Sequence, residues 1–90
     1  MTAHRSVEVV NKRGLHARAS AKFVKLASDF DAEVTVSREG QDVDARSIMG
    51  LMMLGAGPGS VLDIAAKGAE AEAAVTALCE LVQSGFDEDI

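Results

Sequence analysis

The sequence of 90 residues has no tryptophan or tyrosine, three phenylalanines, one cysteine and one proline. It therefore has few of the aromatic side chains on which single-stranded nucleic acids stack in their binding proteins. A single cysteine cannot form an intramolecular disulfide, so nothing in the sequence requires an oxidising compartment. The longest apolar stretch, residues 48–57, is far shorter than the roughly 18 residues that cross a bilayer, and the N-terminus lacks the apolar core of a signal peptide. We therefore expect a cytoplasmic protein that neither binds nucleic acid nor inserts into a membrane.

Chain length and hydrophobic content predict one domain spanning residues 1–90. Hydrophobic residues make up 48% of the sequence, which is typical of a folded domain and argues against disorder. A chain of this size buries only about 60–65% of its unfolded surface, which argues against a large enclosed cofactor site. His4 and Cys79 do not form a metal-binding motif, and Cys79 is interpreted as a small buried hydrophobic residue. Neither a cofactor nor a metal ion is expected.

The net charge of −5 is distributed unevenly along the chain. Residues 1–28 contain six basic residues and one acidic residue, whereas residues 47–90 contain one basic and seven acidic residues. This gradient predicts a localised basic docking face for acidic partners rather than general binding of polyanions. The acidic remainder, including the end of the chain, is expected to be solvated surface.

Hydrophobic periodicity predicts seven elements in the order β-α-β-β-α-β-α. The strands are centred on Val7 and Val9, on Val34 and Val36, on Val43, and on Leu62 and Ile64. The first helix buries a face that comprises Leu15, Ala19, Phe23, Leu26, Ala27 and Phe30. A short second helix covers residues 48–54, and a third covers residues 71–82 before Gly85. Because each strand has one apolar face and the helices have apolar stripes, an α+β fold of two layers is the simplest way to bury them.

His16 is the strongest candidate for chemistry. It lies where a turn enters the first helix, beside backbone amides of Ala17, Arg18 and Ala19 that have no acceptors within the helix. These amides, the positive end of the helix dipole and the Arg18 guanidinium together predict an anion site. A neutral imidazole placed there could accept a phosphoryl group, whose oxygens would be bound by the amides and Arg18. The alternative interpretation is a solvent-exposed histidine beside a helix cap.

Two stretches resemble a known family. The string GLHARA at residues 14–19, with SIMGLM at residues 47–52, is similar to the HPr phosphocarriers of the bacterial phosphoenolpyruvate:phosphotransferase system. The resemblance extends over nearly the whole chain, including the order of its elements. Asn11-Lys12, FDAEV at residues 30–34 and SGFDED at residues 84–89 resemble the nitrogen-type branch, often called NPr.

The resemblance implies an open-faced sandwich of four antiparallel strands covered by three helices. It implies that His16 accepts a phosphoryl group on Nδ1 from phosphorylated enzyme I and passes it to a histidine of an enzyme IIA protein. Arg18 and the amides of Ala17 and Arg18 would steady the phosphate, and the carrier, expected to be a monomer, would have no turnover of its own. The family usually has proline where this chain has Ala19, which should keep the helix but loosen the geometry around His16.

Ser47 has two interpretations that the sequence leaves open. As the N-cap of the second helix it would stabilise that helix by roughly 0.5–2 kcal/mol, which is enough to explain its presence. The family resemblance adds a regulatory role, because HPr kinase/phosphorylase modifies this serine in some members. A phosphate there would add about −1.5 to −2 charge beside the basic docking face.

Two surfaces next to His16 are candidates for partner docking. In the second helix Leu51 and Leu54 are predicted to point inward, which leaves exposed a patch consisting of Ile48, Met49 and Met52. In the first helix Arg18, Lys22 and Lys25 form a basic stripe. The alternatives are ordinary core packing for the methionines and a solvated face for the basic residues.

The leading hypothesis is a covalent phosphoryl carrier. A second hypothesis is a regulatory protein-binding module of the nitrogen-type system, whose phosphorylation state controls its partners. A small nucleic-acid-binding protein is disfavoured by the acidic net charge and the scarcity of aromatic residues.

Overall fold

The computed structural model describes residues 1–88, which form four strands and three helices in the predicted order. The elements are β1 (Thr2–Glu8), α1 (Ala17–Ala27), β2 (Glu33–Arg38), β3 (Gln41–Asp44), α2 (Ile48–Met53), β4 (Val61–Lys67) and α3 (Ala71–Gln83). The last part of the acidic C-terminal sequence, residues 89 and 90, lies outside the described residues.

The four strands form one sheet in the order β1-β4-β2-β3, and every neighbouring pair is antiparallel. In this register Val7 lies opposite Leu62, and Ile64 lies opposite Val36. Successive side chains along each strand point to opposite faces of the sheet. The buried valines, leucine and isoleucine therefore share one face, while Thr35 and its neighbours in register occupy the other.

The three helices cover the apolar face and enclose one core. Helix α3 packs on β1, β4 and β2, whereas α1 packs against α2 and α3, and α2 packs against β3. The largest fully buried side chains, each 0% exposed, are Phe23, Phe86, Leu51, Leu62, Ile64 and Leu78. This arrangement confirms the predicted α+β fold, an open-faced sandwich of one antiparallel sheet and three helices.

Some predicted boundaries differ from the structure. Strand β1 ends at Glu8, so Val9 lies beyond it, although the Val9 N–H still donates to the Ser60 carbonyl at 2.8 Å. Helix α1 ends at Ala27, so Phe30, predicted on its apolar face, lies past the helix and is half-buried. The Ser28 hydroxyl donates to the Val24 carbonyl at 2.8 Å where the helix ends, a local hydrogen bond that helical spacing alone does not reveal. Helix α2 ends one residue earlier than predicted, at Met53.

Within residues 1–88, none of the helices is both long enough and apolar enough to cross a membrane.

Candidate functional site

The turn before α1 is fixed by a close approach between two loops. Gly14 has a positive φ of 61°, a conformation that favours glycine, and a Cβ atom there would lie 2.0 Å from the Ala56 carbonyl oxygen. The next residue, Leu15, donates its N–H to that same carbonyl at 2.9 Å and is buried. The turn therefore enters the helix in one orientation, which fixes the position of His16.

His16 is the N-cap of α1. Its backbone is extended, with φ −75° and ψ −179°, and its side chain accepts a hydrogen bond from the Arg18 N–H. The distance from that amide nitrogen to Nδ1 is 3.2 Å, and the His16 carbonyl accepts from the Ser20 N–H at 2.9 Å. The predicted place of His16 at the start of the helix is confirmed, and the Arg18 amide points at Nδ1.

The partners of the imidazole define its tautomer. Because a backbone N–H can only donate, Nδ1 must be the unprotonated ring nitrogen, whose lone pair accepts this hydrogen bond. The other nitrogen, Nε2, contacts a carboxylate oxygen of Glu88, so it carries the proton and donates it in that hydrogen bond. The ring thus presents its nucleophilic nitrogen towards the first turn of α1.

Glu88 joins His16 to a buried asparagine. One Glu88 oxygen contacts His16, and the other accepts from the Asn11 side-chain amide at 3.0 Å. The same amide nitrogen donates to the Gly14 carbonyl at 3.0 Å, and Asn11 is only 1% exposed. Asn11 therefore links the turn before α1 to the end of the chain.

The expectation that the acidic C-terminal end is only solvated surface is wrong for Glu88. Its side chain is 17% exposed in the contact with His16. Neither the residue types nor their spacing predicts a contact between His16 and Glu88, which lie 72 positions apart. Phe86 is the residue that could have indicated this contact, because it is apolar and stands within a polar C-terminal segment. Its side chain is fully buried.

Residues 85–88 form a left-handed turn, here called the C-terminal hook. Gly85, Phe86 and Asp87 all have positive φ, at 69°, 59° and 60°. For phenylalanine this conformation is strained and costs on the order of 1 kcal/mol. The hook is held by Phe86, whose side chain is buried in the core and whose carbonyl accepts from the Lys22 ammonium at 2.7 Å. These contacts hold the chain after α3 in a position where Glu88 reaches His16.

The environment of Glu88 alters its acidity. Partial removal from water raises the pKa of the Glu88 carboxyl. Hydrogen bonds from Asn11 and His16, with the charges of His16 and Lys22, lower that pKa by more, so it lies below its ordinary value. The ionised form of Glu88 is therefore the form that the folded protein favours.

This lowered pKa predicts a pH-dependent contribution to stability. A carboxyl whose pKa is lowered on folding stabilises the protein above its unfolded pKa, about 4.3 for glutamate, and loses that effect as the pH falls through the folded value. The free energy of unfolding of the wild type should exceed that of Glu88→Gln at neutral pH, and this excess should shrink below about pH 4.3. Urea unfolding across this pH range measures it, and a difference independent of pH would contradict the prediction.

The basic residues predicted for docking are only partly grouped around His16. An open cavity of about 410 Å³ is lined by Arg13, Arg18, Lys22, Asp87 and Glu88. Lys25, in the last turn of α1, does not line it. Arg13, which was not among the predicted site residues, lies in the turn just before the helix and adds to the positive charge there.

The backbone around His16 keeps the helix that the sequence predicts despite the absence of proline. Ala19 lies in the first turn of α1 and is 0% exposed. Ala17 and Arg18 precede it on the exposed side of the helix. The expected effect of Ala19 on the geometry of transfer stays a prediction.

Ser47 caps α2, as predicted. Its hydroxyl oxygen accepts from the Gly50 N–H at 2.9 Å, and its carbonyl accepts from the Leu51 N–H at 3.0 Å. The side chain is half-buried in this role. The cap accounts for serine at this position, and a regulatory modification of it stays a prediction.

Helix α2 presents an apolar surface next to α1. Leu51 and Leu54 point inward and are 0% and 2% exposed, as predicted. The predicted patch is exposed, with Ile48 at 41%, Met49 at 69% and Met52 at 40%. Met53, at 68%, was not predicted and belongs to it. The α2 patch is therefore defined as Ile48, Met49, Met52 and Met53.

The two other residues considered for metal binding lie apart from His16. His4, on β1, pairs with Asp63 at 3.7 Å. Cys79 is 1% exposed in α3, which confirms that it packs as a buried side chain, and burial raises the pKa of its thiol against a smaller opposite effect of Arg5. Among residues 1–88 the structure groups no three or more metal-ligating side chains.

Comparison with known proteins gives consistent results over nearly the full length. Residues 3–84 match the family described as "PTS HPr component phosphorylation site". The chain is 46% identical over 84 residues to the phosphocarrier protein NPr of Shewanella violacea, an alignment that covers 93% of this chain and 92% of that protein. It is 48% identical over 84 residues to the phosphocarrier protein HPr of Cupriavidus necator, with 93% and 94% covered.

The fold also agrees with that of a solved structure over nearly the whole chain. The crystal structure of HPr-C-His from Thermoanaerobacter tengcongensis superposes with a TM-score of 0.93 and 41% sequence identity, covering 98% of this chain and 99% of that chain. Relatives named HPr and relatives named NPr match the sequence at similar identity.

Proposed function

The chain belongs to the HPr family of phosphocarrier proteins of the phosphotransferase system, and we propose that it accepts a phosphoryl group on His16 from phosphorylated enzyme I and passes it to a histidine of an enzyme IIA protein. The observation that carries this proposal is the N-cap geometry of His16. Its Nδ1 is unprotonated, accepts from the Arg18 N–H and faces the first turn of α1. A nucleophile and an anion-binding helix end therefore share one point on the surface.

The transfer uses groups that are already in place. The Nδ1 lone pair forms a bond to phosphorus while the bond from phosphorus to the donor atom of enzyme I breaks. The Arg18 N–H, which donates to Nδ1 at 3.2 Å before transfer, is then free to donate to a phosphoryl oxygen. The amide of Ala17 and the exposed Arg18 guanidinium supply further donors. Arg18 and the amides of Ala17 and Arg18 are thus the proposed phosphate-binding groups.

An open site suits a carrier better than an enzyme with its own turnover. The His16 side chain is 21% exposed, and its neighbours Arg18 and Glu88 line a cavity of about 410 Å³ that is open to solvent. A partner's histidine would approach His16 from this open side. Docking is assigned to the α2 patch together with Lys22 and Lys25. Methionines adapt to differently shaped partners, and the basic residues attract acidic ones.

Phosphorylation of Ser47 is proposed to inhibit this transfer. A phosphate on Ser47 would place negative charge at the start of α2, the helix that packs against α1 and carries the α2 patch. HPr kinase/phosphorylase is the proposed modifying enzyme. Because the serine hydroxyl already caps the helix, its modification replaces one acceptor at the helix end by a more strongly charged one.

A regulatory module of the nitrogen-type system is the second candidate function. It is favoured by relatives named NPr, one of them 46% identical over 93% of this chain. In that role the phosphorylation state of His16 controls which partners the protein binds. Both functions use the same histidine, and we propose them for one domain that works as a monomer in the cytoplasm.

The test is phosphorylation of the purified full-length chain with enzyme I and phosphoenolpyruvate. We expect a phosphoryl group that is labile in acid, as phosphohistidine is, and that transfers to an enzyme IIA protein. The Ser47→Ala variant should be labelled as fully as the wild type. An unlabelled wild type, under conditions in which a control HPr is labelled, would overturn the proposal.

A further inference from the structure

Glu88 contacts the imidazole nitrogen that phosphoryl transfer does not use. The proposed nucleophile is Nδ1, whereas Glu88 accepts a hydrogen bond from Nε2. From this geometry we infer that Glu88 is a positioning residue, which holds His16 in the nucleophilic tautomer and stabilises the positive charge that the ring acquires on phosphorylation. The inference rests on the proposed function and assigns a chemical role to the C-terminal hook.

The transfer step shows where the charge arises. A bond forms between Nδ1 and phosphorus, the bond from phosphorus to the donor's leaving atom breaks, and the bonding electron pair departs with the donor. The ring, still protonated on Nε2, becomes a phosphorylated imidazolium, and no proton needs to move. A carboxylate hydrogen-bonded to Nε2–H meets this new charge directly, as the buried aspartate of a serine-protease triad meets its imidazolium.

The surroundings of Glu88 distinguish it from a chance surface ion pair. An exposed pair contributes little and needs no support, whereas this carboxylate is also bound by Asn11, which is 1% exposed. The hook that delivers it has two residues other than glycine at positive φ, Phe86 and Asp87. Such strain persists only where other contacts hold it, and here the buried Phe86 ring and the Lys22 hydrogen bond do so.

The expected effect is set by the strength of a charge-assisted hydrogen bond. Such bonds are stronger than neutral ones, but the partial exposure of both side chains, 21% for His16 and 17% for Glu88, weakens this one by solvent screening. We therefore expect Glu88→Ala to lower the maximal rate of phosphorylation about tenfold. Glu88→Gln, which keeps an acceptor but no charge, should lie between the alanine variant and the wild type.

The experiment compares the wild type with Glu88→Ala, Glu88→Gln and Glu80→Gln. Glu80→Gln is the matched control, because it removes one negative charge from an exposed residue of α3 that does not line the cavity beside the hook. Initial rates with enzyme I and phosphoenolpyruvate are measured over a range of carrier concentrations. We expect kcat to fall in the order wild type, glutamine, alanine, with KM little changed and the control equal to the wild type.

A second measurement reports the tautomer without any phosphoryl transfer. The ¹⁵N chemical shifts of the His16 ring separate a protonated nitrogen from an unprotonated one. In the wild type Nε2 should be the protonated nitrogen, and in Glu88→Ala the two shifts should move towards each other. Equal shifts in both proteins, or equal kcat values in all four, would overturn the inference, provided that urea unfolding shows each variant to be folded.

These outcomes separate this inference from the proposed function. If the wild type is labelled on His16 but Glu88→Ala is labelled at the same rate, only the role of Glu88 fails. If the wild type takes no label, the proposed function fails, while the ¹⁵N shifts still decide whether Glu88 sets the tautomer.

Discussion

Replacing His16 by alanine is expected to abolish phosphorylation by enzyme I and phosphoenolpyruvate, from full labelling to none. The variant lacks the nitrogen that attacks phosphorus. The Arg18 guanidinium and the backbone amides are donors only, and the Glu88 carboxylate lies on the Nε2 side of the ring, away from the Nδ1 position that receives the phosphoryl group. The fold should survive, since loss of an N-cap costs roughly 0.5–2 kcal/mol. Acid-labile phosphate, measured together with a urea-unfolding curve, checks both parts of this prediction.

The chain supplies a matched control in its second histidine. His4 lies on β1, with a side chain 62% exposed and paired with Asp63, and it is not part of the site around His16. His4→Ala should therefore be labelled as fully as the wild type. Label that persists in a folded His16→Ala variant, or that disappears in His4→Ala, would be incompatible with His16 as the acceptor.

Replacing Gly14 by alanine is expected to lower the free energy of unfolding strongly. The new Cβ would lie 2.0 Å from the Ala56 oxygen and 2.9 Å from the Gly57 Cα, and the residue would have to adopt a φ of 61°. The conformational cost and the steric clash together predict a loss of about 2–5 kcal/mol in the free energy of unfolding. Because Gly14 orients the turn that carries His16, the rate of phosphorylation should fall as well.

Gly55→Ala separates the two costs. Gly55 has nearly the same φ, 63°, but a Cβ there would meet no atom within 4 Å. This variant should lose only the conformational part, about 1–2 kcal/mol, and should be phosphorylated at the wild-type rate. If urea unfolding gives the same loss of unfolding free energy for Gly14→Ala and Gly55→Ala, the clash with the Ala56 carbonyl contributes nothing to stability, and the prediction is wrong.

The parts of the site that depend on neighbouring residues could be predicted from the sequence. The change from a turn to helical periodicity places His16 at a helix start, and serine before an apolar helix indicates the Ser47 cap. Both predictions are confirmed because they depend on hydrogen bonds between residues two or three positions apart. The order of the elements was accessible for the same reason, since each strand or helix has its own local pattern.

The contacts between distant parts of the chain could not be predicted in this way. The acidic C-terminal residues match the composition of solvated surface, and only the three-dimensional packing of Phe86 explains why Glu88 returns to His16. Likewise, periodicity placed Phe30 on the face of α1 although the helix ends at Ala27. Local patterns define which faces are apolar but not how far a segment continues or where its end folds back.

The strand order has a consequence for how the molecule is assembled. The β2–β3 hairpin joins adjacent segments, but β4 lies between β1 and β2, so β1 has no partner until residues 61–67 are available. During synthesis β1 must therefore wait until residues 61–67 have been made, and pairings of such large sequence separation slow folding. The hydrogen bond from Asn11 to Glu88 closes later still. The contact of Glu88 with His16 joins positions 72 residues apart, so it forms only once the sheet and α3 have brought the hook back to the start of α1.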